Sequence, residues 1–145
     1  MATNTLIQSL NTGEAAVMNR RQVETFRAGA AITAGDAVAF DLSQTEVGDK
    51  FLFVKQLDSA DTKANSFVGI ALTSAAAAGE KVEVVISGPA EASVATGVAQ
   101  GDALEASAVK GRLAAYANTS VSAIAGVAAA AESSNKALVI VKKQF

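Results

Sequence analysis

The sequence GDAVAF at residues 35–40 returns as GDALEA at residues 101–106, and this repetition decides the fold. Each copy is followed by an apolar segment centred on a glycine, Gly69 in the first copy and Gly126 in the second. A β-branched run with a lysine at its start then closes each copy. Gly-Asp before an apolar run is typical of a turn, because glycine reaches positive φ and aspartate accepts bonds from nearby backbone N–H groups. The chain is therefore predicted to contain a duplicated β unit.

Short apolar segments alternate with polar turns along the chain, which predicts an all-β protein of about eight to ten strands. We expect a mainly antiparallel barrel or sandwich made of two similar halves, about residues 32–88 and 98–143. Proline cannot continue a β ladder, so Pro89 is expected to end the strand that begins at Lys81. Val85 interrupts the polar face of that strand, which indicates that this face is partly covered.

The two copies differ in length, since 34 residues separate Gly35 from Gly69 and 25 separate Gly101 from Gly126. The nine extra residues of the first copy fall between residues 41 and 66, around a predicted strand FLFVKQL at residues 51–57. That strand would place its phenylalanines and Leu57 on one face, a period that buries the rings.

The polar residues 1–22 form a predicted extended N-terminal arm, and residues 23–145 the β domain. The arm and the extra segment are the parts that the repeat does not explain, so partner contacts are expected there. The residues expected to make these contacts are Leu6, Ile7, Leu10, Arg20, Arg21, Phe51 and Phe53.

Composition excludes several functional classes. The chain has 145 residues, one domain by length, with no cysteine and no histidine. Disulfides, thiolate chemistry and histidine catalysis are therefore excluded. The net charge of −2 and dispersed basic residues argue against nucleic acid as a partner. The first residues lack the basic start and the apolar stretch of a signal peptide, and no apolar run reaches about 18 residues, so no membrane association is expected.

Catalytic, cofactor and metal sites are also not expected. Asp36 and Asp102 recur because aspartate forms turns after glycine. The stretch AAAAGEKV at residues 75–82 places a glutamate between glycine and lysine and lacks the hydroxyl of a phosphate-binding loop. The loop at residues 58–65 lacks the spacing and the central glycine of a calcium loop. The sequence therefore predicts a non-enzymatic protein without cofactors.

The ordered set of motifs resembles the small capsid proteins of tailed phages that are often mislabelled as RecA/RadA-type recombinases. The resemblance covers about residues 28–141, and its motifs are GDAV (35–38), VGIA (68–71), GEKVEV (79–84), Gly88, ATG (95–97), GDAL (101–104) and IAGVA (124–128). Members of this family decorate phage heads as cement proteins. The recombinase label fails for this chain because the phosphate-binding loop is missing.

The resemblance implies a virion structural protein that binds the outside of an expanded capsid and stabilises it. Its implied partners are the major capsid protein and further copies of itself, as a trimer or alternatively a dimer. It would be made in the host bacterial cytoplasm and end on the capsid exterior. The alternative is a host-surface or carbohydrate-binding module of a head fibre or tail, although sugar sites favour exposed aromatic residues and this chain has few.

Overall fold

The computed structural model describes residues 20–59, 66–117 and 125–143. These ranges contain a short 3₁₀ turn, Asp49–Phe51, and no α-helix. Their nine strands are β1 Gln22–Ala28, β2 Ala37–Phe40, β3 Phe53–Gln56, β4 Phe67–Ala71, β5 Lys81–Ser93, β6 Ala103–Ala106, β7 Leu113–Ala115, β8 Gly126–Ala128 and β9 Lys136–Val141. The all-β prediction is confirmed, and the pairing is mainly antiparallel.

The first five strands close into a barrel in the order β1-β3-β2-β4-β5, because β1 also pairs with β5. The β1–β3 pair is parallel, and the other four pairs are antiparallel. We call residues 22–87 the first unit. Of the two architectures expected from the sequence, the first unit therefore adopts the barrel.

The same pairing pattern returns in residues 88–143, which we call the second unit. Strands β6, β7, β8 and β9 repeat the antiparallel pairings of β2, β3, β4 and β5, and the second part of β5 takes the place of β1. The parallel β1–β3 contact returns as a single parallel bridge between Val94 and Leu113. Strand β5 therefore belongs to both units and joins them.

Equivalent hydrogen bonds show how closely the copies match. The amide of Gly35 donates to the carbonyl of Ala71 at 2.8 Å, and the amide of Gly101 donates to the carbonyl of Ala128 at 2.8 Å. These four residues hold the same places in the two sequence repeats. The repeat seen in the sequence is thus a structural duplication.

The glycine at the centre of each copy allows a close approach of two strands. A Cβ atom on Gly69 would run into the carbonyl oxygen of Val85, and one on Gly126 would run into the carbonyl oxygen of Ile140. Glycine inside a strand commonly marks such an approach. The alanine-rich segment around Gly126 accordingly forms a strand, as its alignment with the first copy predicts, although alanine favours helices.

The prediction that Pro89 ends a strand is wrong, because β5 runs unbroken from Lys81 to Ser93. Residues 81–87 pair with β1 and β4, whereas residues 88–93 pair with β9. The proline stands at this change of partner, directly after Gly88, whose φ is +97°. Proline is tolerated at the start of a ladder or at a bulge, so its missing N–H does not end the strand there.

Two buried apolar clusters form the core. One fills the first barrel and includes Phe26, Val38 and Ile86. The other combines the interior of the second unit with residues on the outward side of the first barrel, among them Ile70 and Val85. The two units therefore pack with the outward side of the first barrel against the second unit, and the expectation that Val85 lies on a covered face is confirmed.

Candidate interaction surface

The two repeated aspartates serve the backbone. The Asp36 carboxylate accepts a hydrogen bond from the amide of Thr33 at 2.9 Å, and the Asp102 carboxylate accepts one from the amide of Ala99 at 2.8 Å. Each aspartate thus closes the same four-residue turn in its own unit, as the sequence predicts. Because these carboxylates are engaged in turns, they are not candidates for catalysis.

Most of the large apolar side chains that the first unit exposes lie in the connection between β2 and β3. We call residues 41–52 the apolar loop. Its exposed side chains, with their fractional exposures, are Leu42 at 50%, Val47 at 72%, Phe51 at 64% and Leu52 at 40%. The loop includes much of the extra length of the first copy, where the sequence predicts partner contacts.

Phe51 does not belong to a strand, so the predicted strand at residues 51–57 begins too early. The amides of Phe51 and Leu52 donate to the carbonyls of Gly48 and Asp49, which closes a 3₁₀ turn in place of a ladder. Strand β3 begins only at Phe53, which is half-buried. The turn carries Phe51 outward, so the expectation that its ring is buried is wrong.

Three phenylalanines link the exposed loop to the barrel core. The rings of Phe26 and Phe40 meet edge to face with their centroids 6.1 Å apart, and Phe40 meets Phe51 in the same way at 5.9 Å. Phe26 is 5% exposed and lies in the core of the first barrel. Edge-to-face pairs are favourable beyond their buried area, so Phe51 is held in place while most of its ring faces solvent.

Asp41 organises the start of the apolar loop. Its carboxylate accepts hydrogen bonds from the Ser43 hydroxyl at 2.6 Å and from the Gln44 amide nitrogen at 2.8 Å. Burial by itself raises the pKa of Asp41. The hydrogen bonds and the nearby charge of Lys55 lower the pKa by more than burial raises it, so the pKa lies below its ordinary value. Gly29 packs against the carboxylate and has no room for a Cβ atom.

The root of the N-terminal arm crosses the junction of the two units. The backbone of Arg20 and Arg21 passes directly over Gly88, where a Cβ atom would meet the Arg20 carbonyl. Arg20 is exposed. Arg21 is half-buried and lines a cleft of about 210 Å³, together with Glu91 and Lys136. Among the described groups, the buried Nε of Arg21 has no hydrogen-bond partner.

The structure places Arg20 and Arg21 away from Phe51 and Phe53. Arg20 and Arg21 precede β1, whereas the other end of β1 lies beside the apolar loop, where the amide of Arg27 donates to the carbonyl of Leu52. The seven residues of β1 separate these two places by about 20 Å. The expected contact residues Leu6, Ile7 and Leu10 lie outside the described residues.

A second exposed apolar surface lies on the second unit. Along β9 the buried side chains alternate with exposed ones, which leaves Leu138 39% and Ile140 49% exposed. Strand pairing places half-buried apolar residues of neighbouring strands beside them. We call this surface the outer face, and its residues are Ala103, Tyr116, Val127, Leu138 and Ile140. The sequence analysis did not identify it, because residues 137–141 are all apolar and the sequence does not show which of them are exposed.

Within the described ranges, no group of three or more acidic residues is placed to hold a metal ion. The described part of the chain also contains no helix that has the length and the hydropathy to span a membrane.

Comparisons with known proteins give one match at the level of the fold and one at the level of the family. A chain in the solved structure "The capsid of Myoviridae Phage XM1" shares the fold with a TM-score of 0.60 at 20% identity, over 86% of this chain and 85% of that chain. No curated protein matches. A family model described as phage cement protein matches residues 25–143, which is well over half of the chain. The chain therefore belongs to the phage cement protein family, whose members are structural proteins of the virion that bind the capsid.

Proposed function

We propose that this protein binds the outside of an expanded phage capsid, contacts the major capsid protein and stabilises the shell without catalysing a reaction. The observation that carries the proposal is the family match over residues 25–143. The family match does not favour the alternative of a host-surface or carbohydrate-binding module. The use of both repeated aspartates in turns supports a role without catalysis.

A cement protein stabilises a shell by mass action. A protein that binds only the assembled shell lowers the free energy of that state, and the effect grows with the ratio of free protein to its dissociation constant. The many equivalent sites on a capsid add up these contributions even where each contact is modest. Such a protein needs a rigid scaffold and exposed apolar anchors, and both are present in the first unit.

The apolar loop is the proposed contact of the first unit with its partners in the capsid-bound assembly, the major capsid protein and a neighbouring copy of this chain. Phe51 offers most of its ring to a partner while Phe40 supports it from below. Full burial of a phenylalanine contributes about 1.5–3 kcal/mol, so burial of the exposed part of Phe51 is expected to contribute about 1–2 kcal/mol. Because the ring is already positioned, little side-chain entropy is lost on binding.

The N-terminal arm, residues 1–22, is proposed as a second contact. Its apolar residues Leu6, Ile7 and Leu10 would bind a neighbouring surface, and Arg20 and Arg21 would face acidic groups on that surface. A segment that orders on binding can cover a large area, and addition of a strand to a neighbouring sheet is one such mode. Because the arm leaves at the opposite end of β1 from the apolar loop, the two contacts would be independent.

We further propose that the protein acts as a homo-oligomer, with a trimer favoured over a dimer, on the exterior of the virion after synthesis in the host cytoplasm.

Binding to the capsid is tested with capsids that lack the protein. Wild-type protein is expected to co-sediment with expanded capsids, and Phe51→Ser is expected to weaken binding about 5- to 30-fold, the equivalent of 1–2 kcal/mol. Leu72→Ser is the matched control, because Leu72 is 40% exposed but lies outside the loop. Equal binding of both variants would refute the role of the loop.

A further inference from the structure

One turn makes a distinct part of the contact between the two units. The turn between β6 and β7, residues 107–112, lies against β2 and β3 of the first unit. The amide of Ala37 donates to the carbonyl of Gly111 at 2.8 Å, and the amide of Gly111 donates to the carbonyl of Leu57 at 2.9 Å. Beside them Lys110 forms an ion pair with Asp58 at 3.4 Å. This turn thus helps to bury the outward side of the first barrel.

Duplication gives that buried side a counterpart on the second unit, which is the outer face. The correspondence follows from equivalent bonds, since the amide of Leu57 donates to the carbonyl of Ala37 and the amide of Tyr116 donates to the carbonyl of Ala103. The matching pairs are Ala37 with Ala103, Leu57 with Tyr116, Ile70 with Val127, and Val85 with Ile140. Val85 is 0% exposed, whereas Ile140 is 49% exposed. The side that is covered in one copy is therefore open in the other.

The covering turn also has a counterpart, and it is the apolar loop. The amide of Asp41 donates to the carbonyl of Phe53 across the loop, and the amide of Ser107 donates to the carbonyl of Arg112 across the turn. Phe51 lies two residues before Phe53, and Lys110 lies two residues before Arg112, so Phe51 holds the position of Lys110. Phe51 is thus the loop residue that corresponds to Lys110, and most of its ring is exposed.

The side chains that meet are chemically matched both in the contact within the chain and at the corresponding positions of the apolar loop and the outer face. Within the chain a cation, Lys110, meets an anion, Asp58. At the corresponding positions Phe51 would meet Ala117, which follows Tyr116 on the outer face, so an apolar pair replaces the ion pair. Glu105, at the position of the fully buried Ala39, has a buried Oε2 without a hydrogen-bond partner among the described groups, which a donor from another chain would satisfy.

We infer that a second copy of this chain covers the outer face: the apolar loop of one copy docks on the outer face of the next, as the turn at residues 107–112 docks on the first unit within the chain. This inference deepens the self-association in the proposed function and rests on it. The loop and the outer face are different surfaces on different units, so the contact is head to tail. Repetition of such a contact closes a ring when the rotation allows it, and first and second units then alternate around the ring.

Directional cross-linking tests this contact, and the absence of native cysteine makes the result unambiguous. Two proteins are made, Phe51→Cys and Ala117→Cys, and both positions are exposed. A short bismaleimide is expected to give a dimer band in the mixture of the two proteins and only a trace with either protein alone. A strong band with either protein alone would indicate a two-fold contact and overturn the inference. A mixture of Leu72→Cys with Ala117→Cys gives the background of random collision.

A second set of variants tests the face itself. Ile140→Asp is added to the Ala117→Cys protein, which is then mixed with the Phe51→Cys protein. The yield of cross-linked dimer is expected to fall at least fivefold. Leu72→Asp in the Ala117→Cys protein is the matched control, because Leu72 is 40% exposed and lies outside both the apolar loop and the outer face. Unchanged melting temperatures would confirm that both variants fold. The reaction is run on free protein and on decorated capsids, and no specific cross-link in either setting overturns the inference. Capsid binding without a cross-link would leave the proposed function standing, so the two failures are distinguishable.

Discussion

Replacement of Gly69 or Gly126 by alanine is expected to destabilise the protein by the same mechanism in both units. The added methyl group would overlap the carbonyl oxygen of Val85 in the first unit and of Ile140 in the second. The obstacle is backbone, so a side-chain rotation cannot relieve it and a strand must shift. The two strands involved, β5 and β9, hold the same place in their units.

Two contributions set the magnitude. Overpacking of a well-packed interior costs about 1–3 kcal/mol. A shifted strand also weakens at least one ladder hydrogen bond, worth about 1 kcal/mol. Each variant should therefore lose about 2–4 kcal/mol. For a domain of this size, a loss of this magnitude lowers the melting temperature by about 10 °C.

Thermal unfolding followed by circular dichroism measures the effect. Gly48→Ala is the matched control, because Gly48 has a φ of −63° and no atom within 4 Å of its added Cβ. That variant should melt within about 2 °C of the wild type, or slightly above it. If Gly69→Ala and Gly126→Ala melted with the control, the close-approach explanation of the two glycines would be wrong. A loss in only one of them would contradict the equivalence of the units.

Further predictions concern the base of the apolar loop. Gly29→Ala should displace the Asp41 carboxylate, lower stability by about 1–3 kcal/mol and speed amide hydrogen exchange in residues 41–52, whereas unchanged exchange there would refute the bracing role of Asp41. Because the pKa of Asp41 is lowered in the folded protein, its charge stabilises the fold above the ordinary aspartate pKa of about 3.9, and this contribution is lost as the pH falls through the folded-state pKa. The stability difference between wild type and Asp41→Asn, measured by urea unfolding, should therefore be larger at pH 7 than at pH 3. An equal difference at both values would contradict the assignment.

The duplication was predictable because it depends on local chemistry that a sequence displays. Glycine before aspartate gives the same turn in both units, and a glycine among β-branched residues indicates a close approach of strands. The two turns with their bonds to Asp36 and Asp102 are confirmed at the level of single hydrogen bonds. The strand around Gly126 was recoverable from the repeat although its alanines favour a helix.

Other features depend on tertiary pairing, which the sequence does not display. In the sequence, Pro89 indicates the end of a strand. The strand continues because β5 exchanges its partners β1 and β4 for β9 at this point. Phe51 reads as a strand residue, but a 3₁₀ turn starting at Asp49 takes it out of the ladder. The outer face could not be located without the register of β9, because Leu138 and Ile140 stand among equally apolar residues of which alternate ones are buried.

The thermal resistance of the capsid tests the central claim most directly. Expanded capsids that lack this protein would be heated with and without added purified protein, and release of the packaged genome would be followed with a dye that binds nucleic acid. A cement protein is predicted to raise the release temperature in a saturable manner, with the plateau reached when all capsid sites are filled. A release temperature that stays the same although the protein is bound at saturation would contradict the account.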